Sequence, residues 1–297
     1  MQKPRGNLRW VVVALLFIGT SIVYVDRANL SAAAPQLKTD FNLSSTQLGL
    51  VLSGFFWTYA VFQLISGWFV DKVAVRASFA GAAIGWSIFT AMTALARGFS
   101  SLMGLRLLLG IGESPAYPSN AKAVREWMPK HERGLATGIY DSGSRVGTAL
   151  SLPIVVALIA LVGWHGSFVV TGLLGIVWAV VWWLFYRPPR QHRSVSPAEL
   201  SYIEAGEEKV QDNQTGAGGR WVDLLKHRPV WGMVLGNFCI AYVIYWFVTW
   251  FPSYLVQAAA STCPSSGCSA RSRPSSPCRP AGSVDMPRTD WCAVAGA

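Results

Sequence analysis

Charge is scarce in this sequence. Only 13% of its 297 residues are Asp, Glu, Lys or Arg, while 52% are hydrophobic. A soluble domain carries roughly 25% charged residues, so a chain with about half that density lacks the polar surface to stay in water. The scarcity is also uneven. No charge falls from Leu48 to Val70, Ala77 to Ala96, Val146 to Trp164, Gly166 to Tyr186, or Pro229 to Ala270. A helix crosses a bilayer with about 20 mostly apolar residues, and only helices or closed barrels satisfy their backbone in lipid. These runs far exceed the roughly 10-residue alternating segments of a barrel. The sequence therefore predicts an all-α transmembrane protein. Cysteine is equally sparse up to residue 257, where Cys239 stands alone. The four histidines, His131, His165, His192 and His227, fall in or beside predicted loops. Ser-His-Asp, Cys-His and metal-ligand constellations have no residues to form them, so no enzyme, metal site or cofactor is expected.

Seven spans are predicted, at 10–32, 47–70, 77–96, 100–121, 134–161, 165–186 and 229–256. The first is not read as a signal peptide, because it runs into the charged pair Asp26-Arg27 without a clear small-residue cleavage site. The net charge of +10 does not point to nucleic acid, since no basic groove is interleaved with aromatics. It follows topology instead. Sixteen Lys and Arg lie in the amino tail and in alternate loops, against Lys38 and Arg97 on the other side. The positive-inside rule then places the amino terminus and the long linker in the cytoplasm.

The organisation expected is a six-helix bundle at 8–186, a cytoplasmic linker at 187–228, a seventh helix at 229–257, and a tail at 258–297. The linker holds Pro188-Pro189, a short helix candidate from Pro197 to Val210, and a glycine-rich stretch. Six helices, a linker and a new span read as one half of a two-bundle transporter, with an unrelated seven-helix protein as the plainer reading. The tail changes character abruptly. It holds four of the five cysteines, Cys263, Cys268, Cys278 and Cys292, with eight Ser and five Pro. Its expected origin is a lost reading frame, with most of a second bundle missing; a disulfide module or a metal site is the weaker alternative.

Charges inside spans are expensive and rarely kept without a partner or a task. Asp26 and Arg27 lie late in the first span, Arg106 and Glu113 in the fourth, and Asp141 and Arg145 in the fifth. Arg106 and Glu113, seven residues apart, share a helix face about 10.5 Å apart along the axis. Asp141 and Arg145, four apart, are placed to pair with each other or to face a cavity. Asp26 and Arg27 point about 100° apart, so one can face a central cavity and the other a neighbouring helix. A buried Arg holds its charge and grips a carboxylate with two parallel hydrogen bonds. A buried carboxylate gains or loses a proton according to whether an Arg stands beside it. Together these groups fit a cavity for an organic anion with proton coupling at Asp26 and Glu113. A permanent structural ion pair is the plainer reading. Tyr24 and Tyr59 are candidate ligand contacts or packing residues. The pair Gly110 and Gly112 is not a dinucleotide loop, lacking a third glycine and a βαβ setting.

The quoted segments carry a resemblance. Tyr24-Val25-Asp26-Arg27-Ala28-Asn29-Leu30-Ser31, the fourth-helix set Arg106, Gly110, Gly112, Glu113, Ser114, Pro115, Pro118 and Asn120, and the loop Gly67-Trp68-Phe69-Val70-Asp71-Lys72 with Arg76 resemble the major facilitator superfamily, in its anion:cation symporter branch of sugar-acid carriers. The resemblance covers about residues 8–257. It implies proton uptake at Asp26 and Glu113. It also implies substrate contacts at Arg27, Tyr24, Tyr59, Arg106 and Ser144, with Arg106 also tuning the aspartate. Asp71 and Arg76 become a gate. The implied partners are a small organic anion, protons and the lipid bilayer, with no nucleic acid, in a monomer of the bacterial inner membrane. The loop motif departs from the family in carrying Ala74 for its usual glycine and Ala77 for its second basic residue. A chain with one bundle and one further helix is expected not to transport, because alternating access needs two halves. The alternatives are an organophosphate exchanger, or a non-transporting membrane receptor or interaction module.

Overall fold

The computed structural model describes residues 7–204, 226–251 and 254. Eight α-helices appear among them: α1 Leu8–Asp40, α2 Ser45–Lys72, α3 Val75–Thr93, α4 Phe99–Glu113, α5 Ala116–Trp127, α6 Arg133–Phe185, α7 Pro197–Glu204 and α8 Arg228–Thr249. The tail 258–297 with its cysteines, the glycine-rich part of the linker and the end of the last predicted span lie outside the described residues.

Local chemistry sets the helix ends. α1 stops in a Schellman motif, with Asn42 at φ 49°, its N–H donating to Thr39 O, and Leu43 N–H donating to Lys38 O. Asparagine tolerates this left-handed position better than most residues. α2 starts in a capping box: Ser44 Oγ accepts from Gln47 N–H while the Gln47 side chain accepts from Ser44 N–H.

α1, α2, α6 and α8 are each long and apolar enough to cross a membrane. At 53 residues α6 would be about 80 Å long if straight, far more than one crossing requires. It bends at Gly163, at φ 71° and ψ 173°, a conformation open to glycine and strained for other residues. The contacts show a reversal there. Gly143 meets Phe17 and Ser21, and Gly147 meets Ser21 and Tyr24, so residues 133–162 run parallel to α1. Beyond the bend, Thr171 and Ser167 bond Asn29, while Trp178 meets Leu15 and Gly19, so residues 164–185 run antiparallel. The two predicted spans at 134–161 and 165–186 are thus both present.

The single span predicted at 100–121 is corrected to two helices, α4 and α5, broken at Ser114-Pro115. Pro115 has no N–H to offer Ile111 O, which accepts instead from Ser114 N–H at 3.3 Å and Ser114 Oγ at 2.9 Å, and Pro118, in the first turn of α5, has none to offer Ser114 O. The break is satisfied from α2, whose Ser66 Oγ donates to Ser114 O at 3.0 Å. With α4 and α5 counted together, the seven predicted spans each have a helical counterpart. The linker helix forms over Pro197–Glu204.

Along residues 22–31 every side chain of α1 is buried, because α2, α5 and both halves of α6 surround it. The exposed large residues lie on other faces, among them Leu64, Trp68, Leu161 and Leu184. Such a surface suits lipid rather than water, and the chain is a multi-pass membrane protein.

Candidate functional site

The middle of α1 carries its charges where protein, not lipid, surrounds them. Arg27 Nε donates to Glu113 Oε1 at 2.6 Å, and a second guanidinium nitrogen closes an ion pair on the same oxygen. The side chains are 5% and 1% exposed. Aromatic rings enclose the guanidinium. Its carbon stands 5.0 Å from the Tyr24 ring centroid, 4.8 Å from Phe55, 4.8 Å from Tyr59 and 5.9 Å from Tyr245. Electron-rich ring faces attract a cation in this range. Arg27 Nη1 also donates to Tyr245 Oη at 3.4 Å, which ties α8 to the box.

Glycine lets α4 come close enough to present Glu113. A Cβ on Gly110 would lie 2.5 Å from Phe55 O and 3.0 Å from Tyr59 N, so only hydrogen fits. Thr58 Oγ1 donates to Leu107 O at 2.8 Å across the same contact.

Asp26 faces the other way, as the 100° separation requires. It is 1% exposed and neighbours Thr171 and Arg106. Neither of its carboxylate oxygens has a hydrogen-bond partner among the described residues, and the same holds for Nε and one terminal nitrogen of Arg106. Thr171 is fixed by Asn29, whose Nδ2 donates to Thr171 Oγ1 at 3.0 Å, while Ser167 Oγ donates to Asn29 Oδ1 at 2.9 Å. The two carboxylates therefore sit in different surroundings, Glu113 gripped by an arginine and Asp26 merely near one.

Two cavities adjoin these groups. A small one of about 20 Å³ is lined by Arg27, Ser31 and Arg106 with apolar neighbours, room for about one water molecule. A larger one of about 800 Å³ opens beside it. Five of the residues singled out in the sequence line it: Tyr24, Tyr59, Asp141, Ser144 and Arg145. Asp141 and Arg145 face this cavity without an ion pair between them within 4.0 Å. The intrahelical pairing open to them is not formed. Ser144 Oγ donates to Asp141 O at 2.6 Å.

Asp71 and Arg76 stand apart from the cavity and from each other. The Asp71 side chain is 80% exposed, with Lys122 Nζ at 3.9 Å. Lys122 also donates to Val70 O at 2.6 Å and Asp71 O at 3.1 Å, closing the end of α2. Arg76 Nε donates to Trp183 O at 2.8 Å and its guanidinium lies over that ring.

The other lining residues were not anticipated, among them the polar Gln63, Tyr117, Asn237 and Tyr245. Gln63 and Asn237 carried a usable signal, a polar side chain inside an apolar span. Tyr117, whose hydroxyl lies 3.4 Å from that of Tyr24, and Tyr245 carried none beyond their type.

These features define a class, the polytopic α-helical membrane proteins with a charged interior cavity. The chain belongs to the Major Facilitator Superfamily, whose sequence model matches residues 16–269. It is 39% identical over 268 residues to the D-galactonate transporter of Escherichia coli O6:H1, covering 88% of this chain and 62% of that protein. It is 33% identical over 261 residues to the galacturonate transporter of Dickeya chrysanthemi, covering 87% of this chain and 74% of that protein. A bacterial homologue of the human lysosomal transporter Spinster shares the fold, with a TM-score of 0.69 at 23% identity over 86% of this chain and 57% of that one. The chain spans about 60% of the length of the first curated relatives it matches.

Proposed function

We propose that these helices form the amino-terminal bundle and the start of the second bundle of a carrier that moves a sugar acid, or a related organic carboxylate, together with protons by alternating access. The supporting observation is the Arg27–Glu113 ion pair inside an aromatic box beside an 800 Å³ cavity. The names of the D-galactonate and galacturonate transporters support the substrate class.

Glu113 occupies Arg27 as a substrate carboxylate would. A guanidinium binds one carboxylate well with two parallel hydrogen bonds, so substrate and ionised Glu113 compete for it. Protonation of Glu113 weakens its hold and frees Arg27 for the substrate. Substrate binding in turn leaves Glu113 without its arginine, which favours the protonated acid. Proton and anion then bind with mutual support, as linkage demands. Asp26 offers a second proton site, tuned by Arg106 and held in place beside Thr171. Tyr24, Tyr59 and Ser144 supply hydroxyls toward a polyhydroxy substrate, and Asp71 with Arg76 form part of a gate at the end of α2. The excess of Lys and Arg sets the amino terminus in the cytoplasm of a bacterial inner membrane.

The test is uptake of galactonate, glucarate or galacturonate into proteoliposomes holding the full-length carrier under an imposed pH gradient. Concentrative uptake is expected, and it should collapse in both Asp26→Asn and Glu113→Gln. Proton-driven accumulation that survives both substitutions would refute the coupling. Exchange that requires phosphate inside the vesicles would replace it with an organophosphate antiporter.

A further inference from the structure

A second set of buried charges lies away from the cavity, at the end of the bundle that carries the amino terminus. Arg9, 4% exposed, stands between two carboxylates: its Nε donates to Glu132 Oε2 at 3.0 Å, and one terminal nitrogen lies 3.6 Å from Glu199 Oε1. The backbone N–H of Arg9 also points at Glu199 Oε1, at 3.5 Å. Glu199 is 1% exposed, and it belongs to the linker helix α7.

The neighbours close the set. Tyr202 Oη donates to Glu132 Oε1 at 3.1 Å and lies 2.9 Å from His131 Nε2. The Arg9 guanidinium carbon is 5.0 Å from the Tyr202 ring centroid. Desolvation and the Glu132 carboxylate push the Tyr202 phenol above its ordinary range, which keeps it a donor. Apolar contacts work alongside. Ile203 is buried in the same core as Val12, Trp127 and Ala136, and Val195 packs against it. His192 meets the Trp127 ring edge-on at 5.6 Å.

The local sequence shows that Glu199 is placed for this contact. Ser196-Pro197-Ala198-Glu199 has the form of a capping box with proline at the first helical position. Ser196 Oγ accepts from Glu199 N–H at 3.2 Å, the forward half of the box. The Glu199 carboxylate is turned to Arg9. A carboxylate this deeply buried needs a cationic partner, and Arg9 is held by α1.

We propose that α7 is a strap, locked by Arg9 to α1 and to the turn between α5 and α6, so that the linker through Glu204 belongs to the amino-terminal body. In the two-bundle reading above, on which this consequence alone rests, α7 travels with the first bundle.

Hydrogen exchange read by mass spectrometry on the purified chain in lipid nanodiscs tests the lock without measuring transport. Amides in the second turn of α7 should be protected in the wild-type chain. In Glu199→Gln and in Arg9→Gln their exchange should speed up by about tenfold or more, while peptides from α1 and α6 keep their rates in Glu199→Gln. If Arg9→Gln also loosens the bundle helices, Glu199→Gln decides alone, since it alters only a side chain of α7. Equal exchange of α7 in the wild type and in Glu199→Gln would overturn the strap. So would wild-type exchange at the rate of an unstructured peptide.

Discussion

Two buried arginines meet glutamates in different surroundings, Arg27 one and Arg9 two, and the roles proposed for them differ. Arg27 and Glu113 sit beside a cavity large enough for a ligand, inside a cage of rings that attract the cation without quenching it. Arg9 lies between two carboxylates and under a tyrosine, in a place packed by Ile203 and Val195. In the proposed mechanism the first pair has a competitor, any carboxylate that enters the cavity. The second joins segments far apart in the chain. The difference lies in access. An ion pair becomes a switch where a ligand can replace one partner, and a rivet where none can enter.

Substitutions can break or sharpen this contrast. The largest effect is expected at the cavity. Glu113→Gln should lower proton-driven uptake by the full-length carrier about a hundredfold or more, as for breaking a buried charge pair; near-normal rates would place Glu113 with the rivets. Arg27→Lys keeps the charge and loses the planar fork, so uptake should fall about thirtyfold or more, with little change in the midpoint of thermal unfolding in detergent. At the rivet the pattern inverts. Arg9→Ala strands Glu132 and Glu199 and should cost about 3 kcal/mol of stability, seen in the same unfolding assay, while substrate binding by the carrier is retained. Gly110→Ala should cost about 1–3 kcal/mol, because the new methyl meets the backbone of Phe55 and Tyr59 and neither can move aside alone. The smallest effect is expected at Arg76→Ala. Its bond to Trp183 O is exposed, and a loss under about 1 kcal/mol is expected there; a larger loss would make this contact part of the bundle's frame.

Two features show where the pattern of a single segment stops being informative. The span at 100–121 reads as continuous because Ser114, Pro115 and Ala116 are no more polar than their neighbours. The break follows from the missing N–H groups of Pro115 and Pro118, and Ser66 of α2 stabilises it by bonding Ser114 O, the carbonyl that Pro118 leaves without a donor. Asp141 and Arg145 have the spacing of a pair, but spacing states only that they can meet. The cavity gives both of them open space instead.

The sequence by itself determined that the chain enters a membrane and where it crosses, which residues are charged inside the spans, and that Asp26 and Arg27 face different ways. Transfer into lipid is a nearly additive property of a segment, and the helical repeat fixes directions about a single axis. Only the tertiary structure decided who meets whom. Arg27 found Glu113 across 86 residues and Tyr245 across 218, and Arg9 found Glu199 across 190. One helix's periodicity says nothing about which neighbour packs against each face, so the partners, the cavity and the strap emerge when the helices come together.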